Sequence, residues 1–450
     1  MRLRKFGFTA AVVLTFGALA GCGTLSKVGS LNPFHGKPKP SSVSRGNRIP
    51  IIALNDQLTV SDALKGQDFL LPPPEPLADW PLPGGTPAQS VEHVAAAPDF
   101  VVAWRRPIGQ KSSRKHHITA PPIAADGRIY VMDGVADVTA HDMRTGAPLW
   151  RANITPKSKR NREAWGGGVA YADGKLYVSS GFREVVQLDA RTGAIGWRSP
   201  VEAPLHSAPT VYGGRVFVSD VNDEMIAFDT GTGVQDWTYQ ALTEPARILA
   251  ASSAAVDNET VVASFASGEL VALRAANGNE LWNAALSKAS RTNALSEIRD
   301  IAGRPVIYKT DVFAVSHSDV FAAVDLRTGV ARWTLPISAT TTPWVSGDVA
   351  YVVDQGGKVI CVSRDSGQVY WIHDLNAGLG KGRRAIWSSP VLASNRLIMV
   401  SSKGEAVALN AKTGASLRAL KIGSDALIGP IAVGGMVYVV TEAAELVAIR

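Results

Sequence analysis

Residues Val324–Trp333 read VDLRTGVARW: an aspartate, a Thr-Gly pair and, four residues past the glycine, a tryptophan. The phrase recurs as DMRTGAPLW ending at Trp150, DARTGAIGW at Trp197 and DTGTGVQDW at Trp237. RAANGNELW and SRDSGQVYW keep the glycine and reach Trp282 and Trp371, while NAKTGASLR keeps Gly414 but puts Arg418 where tryptophan belongs. The seven glycines, Gly146, Gly193, Gly233, Gly278, Gly329, Gly367 and Gly414, stand 38 to 51 residues apart. Self-similarity at that period marks an array of supersecondary units, none of which buries its apolar face alone.

Each unit reads as short strands. GRIYVMD, GKLYVSS, GRVFVSD, DVAYVVD, NRLIMVS and GMVYVVT are rich in β-branched and aromatic residues, and each is followed by a second apolar strand such as ELVALR. The Thr-Gly pair supplies a tight turn, with glycine at positive φ and the aspartate accepting hydrogen bonds from turn amides. Four strands in about 45 residues make a propeller blade, and an outer-strand tryptophan is a flat apolar group to bury against the next blade. The last unit stops at Arg450 without its tryptophan strand, while an orphan strand, DFVVAWRRPIG around Trp104, precedes the first full unit. The expectation is an all-β, eight-bladed propeller over 99–450, its last blade completed by the N-terminal strand so that no sheet edge stays open. Trp104, Trp150, Trp197, Trp237, Trp282, Trp333 and Trp371 are the expected docking residues.

Upstream of the array the chain begins MRLRKFGFTAAVVLTFGALAGC, with a basic start, an apolar run from Phe6 to Leu19 and small residues before Cys22. This is a secretory signal over 1–21, too short for a comfortable membrane span. Leu19-Ala20-Gly21-Cys22 resembles the bacterial lipoprotein box, which implies acylation of Cys22, and two or three acyl chains anchor stably where one is marginal. Gly23 after the cysteine, by resemblance to other lipoproteins, favours the outer membrane. Residues 22–98 are rich in Pro, Gly and Ser and read as a flexible tether, its roughly 77 residues spanning roughly 50 Å root-mean-square. A short apolar insert, RIPIIALNDQLTV at 48–60, interrupts it, either to dock or as transient local structure. The one other cysteine, Cys361, sits in the apolar strand KVICV, so it reads as a buried thiol with no intramolecular disulfide partner in the mature chain. The net charge of +7 falls to +4 once the three basic side chains of the signal are removed, which calls for no nucleic acid.

The usual catalytic signatures are absent: no Cys-x-x-Cys, no His-x-x-x-His, no Gly-x-Ser-x-Gly and no phosphate loop. His116 and His117 lie in a basic loop, Gly378–Gly382 (GLGKG) links two blades, and the repeated aspartates sit on turns, so each has a structural reading. In a propeller the connections from one blade's outer strand to the next blade's inner strand emerge on one face. There the loops RRPIGQKSSRKHH, ITPKSKRNREAW and NAGLGKGRRAIW form a positive arc suited to acidic protein or anionic headgroups, or simply to solubility. Opposite lie ALTEPARILAASS, entering blade four, and RTNALSEIRDIAGRP, entering blade five.

The repeat resembles that of pyrroloquinoline-quinone dehydrogenases, which are eight-bladed; their vicinal cysteines have no counterpart here, so neither cofactor nor metal is expected. Lipobox, tether, blades and the two opposite loops together resemble the BamB family, over Trp80 to Arg450 and most closely in SEIRDIAGRPVIYKTDVFAVSHSDVFAAVDLRTGVARW. The resemblance implies a non-catalytic scaffold of the outer-membrane β-barrel assembly complex, lipid-anchored and facing the periplasm. It implies binding to the POTRA domains of BamA, contact with other subunits and a hand in passing on nascent barrel chains. Carried over by position, the partner-binding residues are Arg247, Ile248 and Leu249 in the first loop and Arg299 and Asp300 in the second; Ala302 stands where the family has a further aspartate. The alternatives are a periplasmic quinoprotein-like oxidoreductase and a propeller that binds peptide or cell-wall polymer through its basic arc.

Overall fold

The computed structural model describes residues 58–156, 166–244, 252–287 and 298–450. Thirty-two strands among them form eight four-stranded antiparallel sheets. Blade one runs from Ile123–Ala125 to Pro148–Asn153, blade two from Gly167–Ala172 to Ile195–Pro200, and blade three from Thr210–Tyr212 to Gln235–Gln240. Blade four runs from Ala255–Asp257 to Glu280–Ala285, blade five from Val306–Tyr308 to Ala331–Leu335, blade six from Trp344–Ser346 to Val369–Asp374, and blade seven from Val391–Ala393 to Ser416–Lys421. Blade eight joins Ile431–Val433, Met436–Val440 and Glu445–Ile449 to the early strand Val102–Pro107, so the ring closes as its sequence implies. The middle strands of each blade are almost wholly buried and the outer ones mostly exposed, which puts the core between neighbouring sheets.

The repeated phrase is the seam between blades. Each of the seven glycines has φ between +69° and +73°, and a Cβ built on it would lie 2.5–2.8 Å from the tryptophan ring or its edge in the preceding blade. Trp104 covers Gly146, Trp150 covers Gly193, and so on round to Trp371 over Gly414. Only glycine tolerates both the left-handed backbone and the flat ring. Six indoles also donate to a carbonyl in that turn, as Trp237 does to Ala275 O at 3.0 Å and Trp333 to Arg364 O at 2.7 Å. The nitrogen of Trp371 has no such partner, and Ala411 O instead accepts the Tyr351 hydroxyl at 3.0 Å. Beneath the ring the facing residue is small: Ala140, Ala227, Ala272, Ala323 and Ala448 oppose five of the tryptophans, and Cys361 takes that place under Trp371. Burial pushes the Cys361 thiol well above its ordinary range, so it is inert packing.

Arg418 has a physical reason too. It lies on the outer strand of blade seven, opposite Ala408. In blade eight the outer strand is Val102–Pro107 from the other end of the propeller, so no Thr-Gly turn joins it to Glu445–Ile449 and no glycine awaits a tryptophan there. The break is closed by backbone instead: Val101 N–H donates to Arg450 O at 3.0 Å and Arg450 N–H to Val101 O at 2.9 Å.

The expected tether needs correction over its second half. From Leu58 onward the chain lies on the propeller: Leu58 and Val60 pack against blades five and six, and Phe69 is buried with its ring centroid 4.7 Å from that of Tyr370. Residues 75–97 then cross the centre of the ring at the end opposite the inter-blade loops. Here the innermost strands present unpaired edges, and this extended segment pairs with them. Tyr171 N–H donates to Pro81 O at 2.8 Å, Val256 N–H to Pro87 O at 2.7 Å and Ile307 N–H to Ala88 O at 2.9 Å. Val94 N–H reaches Leu392 O at 3.2 Å and Ala97 N–H reaches Gly435 O at 2.8 Å. Trp80, 2% exposed, pairs its backbone with Ala124 and stacks on Trp344 at 6.2 Å. Proline supplies no ladder donor, yet its carbonyl accepts, which is why a Pro-rich stretch can cap strand edges. The segment is a plug, and the channel is blind at that end.

Candidate interaction face

The loops entering each blade gather at the open end of the channel. Of the first loop expected to meet a partner, Arg247, Ile248 and Leu249 lie outside the described residues. In the second, Arg299 is exposed, whereas Asp300, expected to face a partner, is only 6% exposed. Its carbonyl accepts His317 N–H at 2.9 Å, and the next residue, Ile301, is buried in the core between blades four and five. Asp300 therefore lines a cleft between blades three, four and five, together with Asp220, Asp223, His206 and Ala302. Burial raises the Asp220 carboxyl above its ordinary value, against hydrogen bonds from Glu224 and Asn222 amides that lower it. Asp223 accepts the Ala266 amide at 3.1 Å, tying blade three to blade four. The exposed part of the second loop thus ends at Arg299, and the loop is rooted by the two residues after it.

The basic arc is interrupted. Lys111, Arg114 and Lys115 on the blade-one loop and Lys381, Arg383 and Arg384 on the blade-seven loop are exposed. Between them, however, blade eight's entry presents Asp425 and Leu427, and residues 157–165 of the blade-two loop lie outside the described residues. Arg106, counted with the loop in the sequence, belongs to the strand Val102–Pro107; its guanidinium lies 5.9 Å over the Trp104 ring and donates to Thr145 O at 3.2 Å. The repeated aspartates serve the turns: Asp142, Asp189, Asp229 and Asp325 each accept the hydroxyl and amide of the threonine three residues on. Among the described residues no group of three or more His, Cys, Asp or Glu is placed to hold a metal ion. None of their helices is long and apolar enough to cross a membrane, and Cys22 lies outside them.

Two features escaped the sequence reading. One is Trp80, an aromatic isolated in a proline-rich run. The other is Arg304, which stands two residues before an inner strand, where the corresponding positions of six other blades hold Pro121, Ala208, Ser253, Thr342, Ser389 and Gly429. That contrast is visible once the blades are aligned.

Eight sheets, seven of whose seams are locked by tryptophan over glycine, with loops massed on one face, define a tryptophan-docking propeller of the quinoprotein-like architecture. A family model described as "Outer membrane protein assembly factor BamB" matches residues 134–373 and 357–450, and the chain belongs to that family. Proteins of the same description from Moranella endobia and Burkholderia pseudomallei are 26% identical over 334 residues and 24% over 323. These alignments cover 73% and 71% of this chain, and 84% and 81% of the relatives. The crystal structure of BamB from Moraxella catarrhalis superposes with a TM-score of 0.67 at 18% identity, covering 78% of this chain and 99% of that one. A europium-containing methanol dehydrogenase gives 0.66 at 15% identity, covering 80% and 89%, so the architecture is shared with enzymes and does not by itself fix an activity.

Proposed function

We propose that this chain is a non-catalytic scaffold of the outer-membrane β-barrel assembly machinery, anchored through an acylated Cys22 and facing the periplasm. The observation that carries the reading is the family match across nearly the whole propeller, 134–450, joined to a lipoprotein box at Leu19–Cys22. The propeller docks on the POTRA domains of BamA through the loops entering blades four and five, with Arg247, Ile248, Leu249 and Arg299 as the touching residues. Asp300 supports the second loop from below, consistent with its burial.

The test is affinity purification of the tagged, full-length lipoprotein from detergent-solubilised envelopes, beside an Ile248→Asp, Arg299→Glu double variant. Arg299 replaces Asp300 as the target because a charge reversal at a buried residue damages the fold as well as the face. BamA recovered with wild type and lost from a folded variant supports both the role and the loops. BamA missing from the wild-type sample, under conditions that preserve its complex with other subunits, overturns the role.

A further inference from the structure

The open end of the channel holds a cavity of about 460 Å³, to which the entries of all eight blades contribute. That is within the range of small-molecule sites. Its floor is Arg304, which also lines a smaller cavity beneath, bounded by Trp80, Gly84 and Gln89 of the plug. Arg304 Nε is buried without a hydrogen-bond partner, and among the described residues no carboxylate forms an ion pair with the guanidinium. Two more residues lining the cavity carry a buried, unpartnered polar atom: Thr119 Oγ1 and Ser253 Oγ.

Buried polar groups without partners are rare, because each forfeits a hydrogen bond that water would have given it. Arg304 is half-buried, with its Nε out of reach of water, so its guanidinium keeps only part of its hydration and has no anion to replace the rest. Burial pushes its pKa down to about 10, which still leaves it charged at neutral pH. Three such atoms on residues around one cavity are three potential donors, since a change of χ1 rotamer redirects a serine or threonine hydroxyl. Among the described residues Glu442 is the only acid on the cavity wall, and one cation opposite one acid favours a monoanion over a phosphate dianion. The remaining wall offers apolar surface from Ile118, Pro121, Leu427 and Ile428.

We infer that the blind channel is a binding site for a carboxylate borne on a small apolar body, with Arg304 pairing the carboxylate and Ser253 and Thr119 donating to it. The site is independent of the assembly role, although Ser253 and Arg304 terminate the same two loops that are proposed to meet the partner. The carboxylate belongs either to a free small acid or to the C-terminus of a short peptide.

A ligand-observed NMR titration of the full chain in detergent, with empty micelles as blank, tests this with benzoate as probe and benzamide as its neutral control. Benzoate binding in the millimolar range, absence of benzamide binding, and at least about tenfold weakening in Arg304→Met support the site. Ser253→Ala and Thr119→Val, which keep the guanidinium, each weaken benzoate by about threefold and serve if Arg304→Met fails to fold. Displacement of benzoate by Gly-Gly-Leu but not by its C-terminal amide assigns the carboxylate to chain ends; displacement by neither assigns it to free acids. No benzoate binding to wild type, equal binding of benzamide, or binding unchanged in all three variants overturns the inference. Because the titration contains no BamA, its failure leaves the proposed assembly role untouched.

Discussion

The indole of Trp282 lies where any side chain on Gly329 would have to go: a Cβ there would sit 2.8 Å from the ring, and Gly329 holds φ at +72°. The same indole donates to Leu326 O at 2.7 Å, so ring, turn and backbone form one unit across the boundary between blades four and five. Gly329→Ala should therefore destabilise the fold by at least about 2 kcal/mol, from left-handed strain together with overpacking. Gly127, also at positive φ but with open space around it, supplies the control. Gly127→Ala should cost only about 1–2 kcal/mol, and denaturant melts compare the two.

Arg418 makes the converse case. Because blade eight lacks the turn a tryptophan would cover, Arg418→Trp should change stability by no more than about 0.5 kcal/mol. Trp150→Ala, which empties a seam, should cost about 3 kcal/mol. A similar gain and loss at the two sites in urea unfolding would contradict the seam as described.

The plug is expected to be structural. Trp80→Ala should cost about 3–5 kcal/mol, as for other buried tryptophans. A chain beginning at Asp99 retains every blade strand, yet should melt well below one beginning at Leu58. Equal melting temperatures for the two truncations would return residues 58–98 to the role of tether.

Acid stability should show two opposed limbs. Hydrogen bonds from the threonine hydroxyls hold the carboxyls of Asp142, Asp189, Asp229 and Asp325 below the ordinary 3.8. For a depressed acid the contribution is fully present above 3.8 and is lost as pH falls through the folded value. Desolvation raises Asp133, Asp220 and Asp354, so these groups favour the fold when protonated, and that benefit disappears as pH rises from 3.8 through their folded values. Melting temperatures between about pH 3 and about pH 7 should fall less steeply below 3.8 in Asp189→Asn, and change less just above 3.8 in Asp354→Asn.

What the sequence made legible was whatever repeats. Glycine-to-tryptophan spacing is local, and seven copies gave the blade count and, through Trp104, the closure. Composition failed where tertiary context overrides it: prolines made residues 58–98 look like a linker, while the strand edges they cover become adjacent only in the closed ring. Asp300 was expected at a partner because the family resemblance places an aspartate there, yet burial of the next residue, Ile301, pulls it under. Arg304 was legible only as a departure from its counterparts, which requires knowing where each inner strand begins.

The reciprocal hydrogen bonds between Val101 and Arg450 set the order in which the molecule can be made. The first blade strand to leave the ribosome waits for the last, about 340 residues later, and the plug ahead of it needs inner edges contributed by blades from one end of the chain to the other. Contacts so distant in sequence are slow to form. A chain secreted as it emerges would expose its amino-terminal aromatics until synthesis ends, and one cut short before Glu445 would never shelter them. Residues 58–107 are thus the last to settle, and loss of the strand Glu445–Ile449 should register first as misfolding there.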